Sequence, residues 1–154
     1  MVRKSTLFLA ACPYDNDSRL IAHGLKDGKD EAVAQAAAVM ARCLPADCIL
    51  IPAPGRLGYA KQALLLAKAI GRRCGAEVAD VLKGACRRSN YEAKKEGQTL
   101  TASDFGFYLA GTLPEGKVPV FIDNVVDTGA TALAASSLLG SCIVLSYAMT
   151  DKLL

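Results

Sequence analysis

Residues 127–131, Asp-Thr-Gly-Ala-Thr, stand between an apolar run, VPVFI, and an alanine-rich stretch with helical character. A strand, a tight turn and a helix explain that order. Gly129 lets the backbone approach a ligand with no Cβ in the way. A helix starting near Thr131 leaves its first N–H groups unpaired and pointing outward. Those groups, the hydroxyls of Thr128 and Thr131 and the positive helix end form an anion cradle over Asp127, Thr128, Gly129, Ala130 and Thr131, suited to a phosphate monoester. Asp123 and Asn124 lie one short step upstream. A carboxylate beside a carboxamide suits two neighbouring hydroxyls, as on a ribose. Asp123 also suits magnesium, which takes oxygen ligands.

Such a turn needs a scaffold, and the rest of the chain supplies one. DCILI, AEVADVL, KVPVFID and SCIVLSYAM read as strands. SRLIAHGLKDG, DEAVAQAAAVMARCL, GYAKQALLLAKAIGRRCG and TALAASSLLG read as helices, with a cap for the first at Asp17 or Ser18. Strands separated by helices imply βαβ units and a mostly parallel sheet. The runs ILI, VFI and IVL are continuously apolar, as strands covered on both faces are. An α/β fold is therefore expected, a mostly parallel sheet flanked by helices. In such sheets ligands bind beyond the carboxyl ends of the strands. Those strand exits are residues 52–56, IPAPGR with its prolines and Arg56, the polar and basic excursion 83–104, and residues 123–131. The excursion is weakly periodic and reads as a long basic loop, a length that usually signals function or disorder.

The chain has 154 residues, 52% hydrophobic and 21% charged, as one globular domain would. A net charge of +3 argues neither for nucleic acid nor for an acidic membrane surface. Six cysteines occur without a C-x-x-C pair, and His23 is the lone histidine. This pattern speaks against a zinc site and for reduced thiols in a cytoplasmic protein. MVRKSTLFLAAC resembles a lipoprotein cleavage box, but its apolar run is short, and a first strand over residues 5–11 is the simpler reading.

The segment VFIDNVVDTGAT resembles the phosphoribosyl pyrophosphate (PRPP) motif of type I phosphoribosyltransferases: apolar residues, two acidic positions, two apolar residues, then Thr or Asp before Thr-Gly-x-Thr. The resemblance implies that residues 127–131 hold the 5′-phosphate and that Asp123 and Asn124 face the ribose hydroxyls. Magnesium would be bound mainly through PRPP, with Asp123 as the protein ligand. It implies a phosphoribosyltransferase-like domain with a small N-terminal hood and a long, basic, flexible loop. PRPP and a nucleobase would be the partners, and a homodimer is compatible with it. Asn124 departs from the acidic pair and carries no charge. Asp127 stands where Thr is frequent; hypoxanthine- and xanthine-type enzymes share the Asp, facing purine N7, which favours a purine. Asp127 fits two roles, that base or acid and a plain acceptor of turn N–H groups.

The same resemblance makes Ala53, Pro54, Gly55 and Arg56 a pyrophosphate loop, often with a cis peptide in the family, and Arg56 a bidentate phosphate contact. Arg87, Arg88, Lys94 and Lys95 would close over the ligand. Lys94 and Lys95, near the middle of the excursion, join Asp127 as the catalytic candidates. Tyr14, Leu25, Lys26, Gly28, Pro52, Pro54, Gly58, Tyr59, Gln62 and Ala63 loosely fit the competence-associated ComF-like branch, without its zinc ribbon. The expected activity is transfer of a phosphoribosyl group to a base with release of pyrophosphate. The alternative is a non-catalytic PRPP- or nucleotide-binding protein, or a ComF-like role in DNA uptake. GTLPEGKV mimics a P-loop but has Val118 where Ser or Thr is needed and precedes a strand.

Overall fold

The computed structural model describes residues 5–87, 90–98 and 100–151. The chain runs β1 (Thr6–Pro13), α1 (Asn16–Lys26), α2 (Asp30–Met40), β2 (Cys48–Pro52), α3 (Gln62–Cys74), β3 (Glu77–Val78), β4 (Leu82–Lys83), α4 (Asn90–Lys95), α5 (Ala102–Phe105), β5 (Tyr108–Leu109), β6 (Val118–Val126), α6 (Ala130–Leu139) and β7 (Cys142–Met149). Five strands form a parallel sheet in the order β1-β7-β6-β2-β3, and β4 and β5 form a small antiparallel pair. Both sheet faces are covered, as the unbroken apolar runs require. On one face Leu25, Val33, Met40, Leu66 and Ile70 from α1, α2 and α3 pack on Leu50, Val120, Ile122 and Leu145. On the other, Ala132, Ala135 and Leu139 of α6 and Leu82 of β4 pack on Ile51, Phe121 and Val144.

From β2 the chain moves outward to β3, then returns past β2 to become β6. The order therefore reverses between β2 and β6, and this is where open α/β sheets leave a crevice. The last paired residues there are Pro52 and Ile122, and the Ala53 N–H continues the contact to the Ile122 carbonyl at 2.9 Å. β6 runs on to Val126 paired with β7 alone. Asp123, Asn124 and Val125 thus overhang the end of β2.

Several local features differ from the sequence expectations. Residues 6–13 form no hood: β1 joins the main sheet as its edge strand along β7, while Tyr14 and α1 lie at the carboxyl end. A strand this apolar gains more by extending the sheet than by capping it. Asp15, rather than Asp17 or Ser18, caps α1, accepting from the Asp17 and Ser18 N–H groups, while Ser18 closes a capping box. The excursion is not one long loop. It contains α4 and α5 and is pinned by the fully buried Phe105, whose ring sits 5.3 Å from that of Phe107. Helices of six and four residues are too short to show a period, which is why the sequence reads as loop. Arg88 lies outside the described residues. All peptide bonds of the described residues are trans, so the family's cis bond is not present at residues 53–56. There the Gly55 N–H reaches the Tyr59 carbonyl and the Gly58 N–H the Gly55 carbonyl, closing the loop with trans geometry. Among the described residues no helix is long and apolar enough to cross a membrane.

Helix α1 is held against α2 by a close approach at Gly24, where an added Cβ would lie 2.5 Å from the Ala32 Cβ. Neither atom can rotate away, so the helices would have to separate. Gly24→Ala gains about 1 kcal/mol of helix propensity but costs roughly 1–3 kcal/mol in overpacking. Chemical denaturation should therefore find Gly24→Ala destabilised, whereas Leu20→Ala, at a position 82% exposed, should stay within about 0.5 kcal/mol of the parent.

Candidate functional site

The turn after β6 is built as a helix entrance without a side-chain cap. Gly129 occupies the N-cap of α6 at φ +83, a left-handed conformation that favours glycine. No side chain caps the helix in the N-cap manner, and the Thr128 hydroxyl only reaches the Ala130 N–H at 3.3 Å. The turn is buttressed from just past the end of β7, where the Thr150 hydroxyl donates to the Asp127 carbonyl at 2.8 Å. A small concavity of about 40 Å³ lies along residues 123 and 125–132. The five residues expected to cradle an anion are thus brought together, with amides at the positive end of a ten-residue helix.

Asp123 and Asn124 are adjacent in the overhang of β6, within the strand rather than past its end. The ladder is interrupted here. Asp123 pairs with Ser146 and Val125 with Ala148, while no pair joins Asn124 to Tyr147 or Tyr147 to Ala11. The alternation of faces slips with it: Val120, Ile122 and Val125 all pack toward the α1–α3 layer, and Val126 toward α6. Three neighbouring strands share this break; Asn124 sits on it and Asp123 directly precedes it.

Burial raises the Asp123 pKa to about 6, against a bond from the Asn124 N–H at 2.8 Å and the attraction of Arg87, which lower it. Arg87 is half-buried. Burial lowers its pKa while Asp123 raises it, and its guanidinium lies 4.5 Å from the centroid of the Phe105 ring. Arg87 arrives by a short backbone ladder. Its N–H bonds the Arg56 carbonyl at 2.7 Å, and the Gly84 N–H bonds the Gly58 carbonyl at 2.8 Å. Gly58 has φ +89, and a Cβ there would collide with the Gly84 carbonyl oxygen. The loop of Ala53, Pro54, Gly55 and Arg56, the Arg87 segment and Asp123 therefore meet at one end of the sheet. Ala53 and Pro54 are buried, while Gly55 and Arg56 are exposed.

Lys94 reaches Asp127 across the site at 3.4 Å, both side chains exposed at 63% and 39%. Such a pair contributes about 0–1 kcal/mol, so a ligand can displace it. Lys95 is exposed at the end of α4 and makes no ion pair among the described residues. The sequence puts Arg87 among the residues that would close over the ligand, yet its catalytic candidates in the excursion are Lys94 and Lys95. The signal that separates them is the neighbouring apolar residues, Phe105 above all, that bury Arg87.

Two cavities open beside the overhang. One of about 460 Å³ is lined by Tyr14, His23, Lys26, Tyr91 and residues 123–125. Another of about 490 Å³ is lined by Tyr14, Lys94, Val125, Asp127, Thr150 and Asp151. Tyr14 and Val125 belong to both, so they form one cleft. A further cavity of about 350 Å³ lies at the opposite end of the sheet, where Lys117 and Glu77 pair at 3.0 Å. It shares no residue with the strand exits. Among the described residues no cluster of three or more His, Cys, Asp or Glu has the arrangement of a metal site. One carboxylate, Asp123, is nonetheless enough for a magnesium ion carried mainly by ligand phosphates, and its burial gives a cation something to neutralise. All six cysteines are free thiols. No family model matches the chain, and no curated protein matches it.

The raised pKa has a sign that can be tested. Between pH 3.8 and about 6 the folded chain keeps the Asp123 proton that the unfolded chain loses, so stability falls as pH rises through that window. A shift of this size corresponds to at most roughly 3 kcal/mol. Asp123→Asn should be more stable than the parent by about 1–2 kcal/mol at neutral pH, by relief of a desolvated charge, and equal to it near pH 4. Urea melts at several pH values read the difference; a parent that gains on Asp123→Asn as pH rises would contradict the assignment.

Proposed function

We propose that the protein is a PRPP-dependent phosphoribosyltransferase that moves a phosphoribosyl group to a nitrogenous base, a purine by preference, and releases pyrophosphate. The observation that carries this reading is the clasp between the Ala53 N–H and the Ile122 carbonyl, 2.9 Å long, at the point where strand order reverses. It sets a glycine-containing loop beside a carboxylate and an uncapped helix entrance. Three anionic or hydroxylated parts of one sugar phosphate need just such neighbours.

In this reading Thr128, Gly129, Ala130 and Thr131 hold the 5′-phosphate through amides and hydroxyls. Asp123 and Asn124 accept from or donate to the ribose hydroxyls. Arg56 and Arg87 neutralise the pyrophosphate, Arg87 with the greater effect because it is half-buried and its field is less screened. Asp123 would hold a magnesium ion carried in with PRPP, and such an ion would supply positive charge toward the leaving pyrophosphate. The bond from ribose C1 to the pyrophosphate oxygen breaks and a bond from a ring nitrogen to C1 forms. The ring N–H proton passes to the Asp127 carboxylate. Lys94 pairs with that carboxylate until the base displaces it. Rate enhancement then rests on positioning and on charge stabilisation in a site from which water is excluded.

Calorimetry with PRPP, with and without magnesium, followed by pyrophosphate release against purines and pyrimidines, tests the proposal. PRPP should bind in a magnesium-dependent way and at least one base should be turned over. Asp127→Asn should reduce turnover about 100-fold or more, the usual scale of general acid–base catalysis, with PRPP affinity changed less than about threefold. Absence of PRPP binding sinks the whole reading. Binding without turnover of any base leaves a PRPP-sensing module and removes the catalytic role.

A further inference from the structure

The lobe of the cleft near α1 has a chemistry the phosphoribosyl reading does not use. It holds Lys26 and His23 from the last turn of α1, Tyr91 from α4, Tyr14, and residues 123–125. Lys26 meets no carboxylate among the described residues; its ammonium lies 5.9 Å from the centroid of the Tyr91 ring. Tyr91 is 70% exposed although it faces a cavity. Among the described residues Asp123 is the one carboxylate lining this lobe, and the positive charge of Arg87 acts on it. Beyond Tyr14 and Val125 the other lobe carries Asp127 and Asp151 with Lys94. The cleft is therefore basic and aromatic at one end and acidic at the other.

One internal tension points the same way. The Asn124 Oδ1 is buried with no hydrogen-bond partner, a state that costs about 1–3 kcal/mol. Asn124 lines the basic lobe. Turning its carboxamide toward a donor in the cavity would remove that cost.

We infer that the basic lobe receives a planar heteroaromatic ring whose edge is acidic, a ring carboxylate or an ionised oxo-imide, with that edge toward Lys26 and His23, a face against Tyr91, and a ring N–H directed to the Asp127 end. Tyr91 supplies a flat apolar face, and the ammonium over it adds charge to the same surface. A cavity of about 460 Å³ is of the size that takes a small ligand. The inference rests on the proposed function for its link to catalysis, since the ring would be the acceptor base. As a statement about binding it stands apart. It moves the acceptor preference from purines as a class to the acidic members of either base class.

The test is calorimetric titration of the whole chain with two matched pairs: orotate against cytosine, and xanthine, at a pH where it is ionised, against adenine. Each is measured with and without PRPP. The acidic member of each pair should bind at least tenfold tighter in one of the two conditions. Lys26→Met should remove about tenfold from the acidic probes and leave the neutral ones unchanged. Tyr91→Leu should weaken both kinds. Both positions are exposed, and a melting curve for each variant checks that it is folded. Equal binding of acidic and neutral members, binding of neither, or an acidic preference that survives Lys26→Met overturns the inference. If PRPP fails to bind while the acidic probes bind through Lys26, the phosphoribosyl reading falls and this one stands.

Discussion

A carboxylate held out of water beyond the end of a central strand organises this end of the molecule. Asp123 would ionise near pH 3.8 in solvent, yet its surroundings raise that to about 6. The protein keeps the charge tolerable with two devices, the Asn124 N–H and the Arg87 guanidinium. Arg87 is itself half-buried and would be costly alone. Each charge therefore makes the other acceptable, and neither could be placed in this position first. Their meeting depends on a third segment. The backbone ladder of residues 56 and 58 with residues 84 and 87 guides Arg87 inward, and it exists only because Gly58 adopts a positive φ and has no Cβ. One electrostatic requirement thus ties the loop after β2, the start of the excursion and the overhang of β6 into a single arrangement.

The magnitudes separate the parts that hold the site from the parts that can move. Asp123 and Arg87 are both withdrawn from water, so the attraction between them is little screened by solvent or salt. The exposed pair of Lys94 and Asp127 is worth only about 0–1 kcal/mol. Asp123 and Arg87 are accordingly fixtures, while Lys94 and Asp127 can exchange partners at little cost. A group meant to take a proton benefits from such a loose hold, because its partner can leave when substrate enters.

Much of this was readable from the residues. Continuous apolar runs marked the buried parallel strands, and the order of types from Phe121 to Thr131 marked strand, turn and helix, because burial and backbone geometry act on neighbours in sequence. The excursion was misread for the opposite reason. Its helices α4 and α5 are too short to carry a period, and each is pinned by one buried residue, Ala93 and Phe105. The N-terminal strand was found, but its place at the sheet edge rather than in a hood follows from pairing with β7, 136 positions along at Thr6 and Cys142. Arg87 and the lining residues His23, Lys26 and Tyr91 were scattered over unrelated segments, and no spacing rule could gather them. The twist of face at Asn124 is likewise a property of three strands at once.

That twist explains why the polar residues can be where they are. In an unbroken ladder a strand with both faces covered has no room for a carboxylate and a carboxamide in succession, since one would enter each apolar layer. The pairing lapse through Ala11, Tyr147 and Asn124 lets Val125 turn back toward the α1–α3 layer. Asp123 and Asn124 are left at the rim, next to the crevice where β2 has already ended. The sheet gives up regular pairing in one row, and in exchange the central strand presents chemistry at its tip without carrying it into the core. The same lapse leaves Asn124 Oδ1 without a partner, a cost that a folded chain retains only where no alternative packing removes it. Stability and binding therefore compete at this row, and the residue that departs from an acidic pair is the one left unsatisfied.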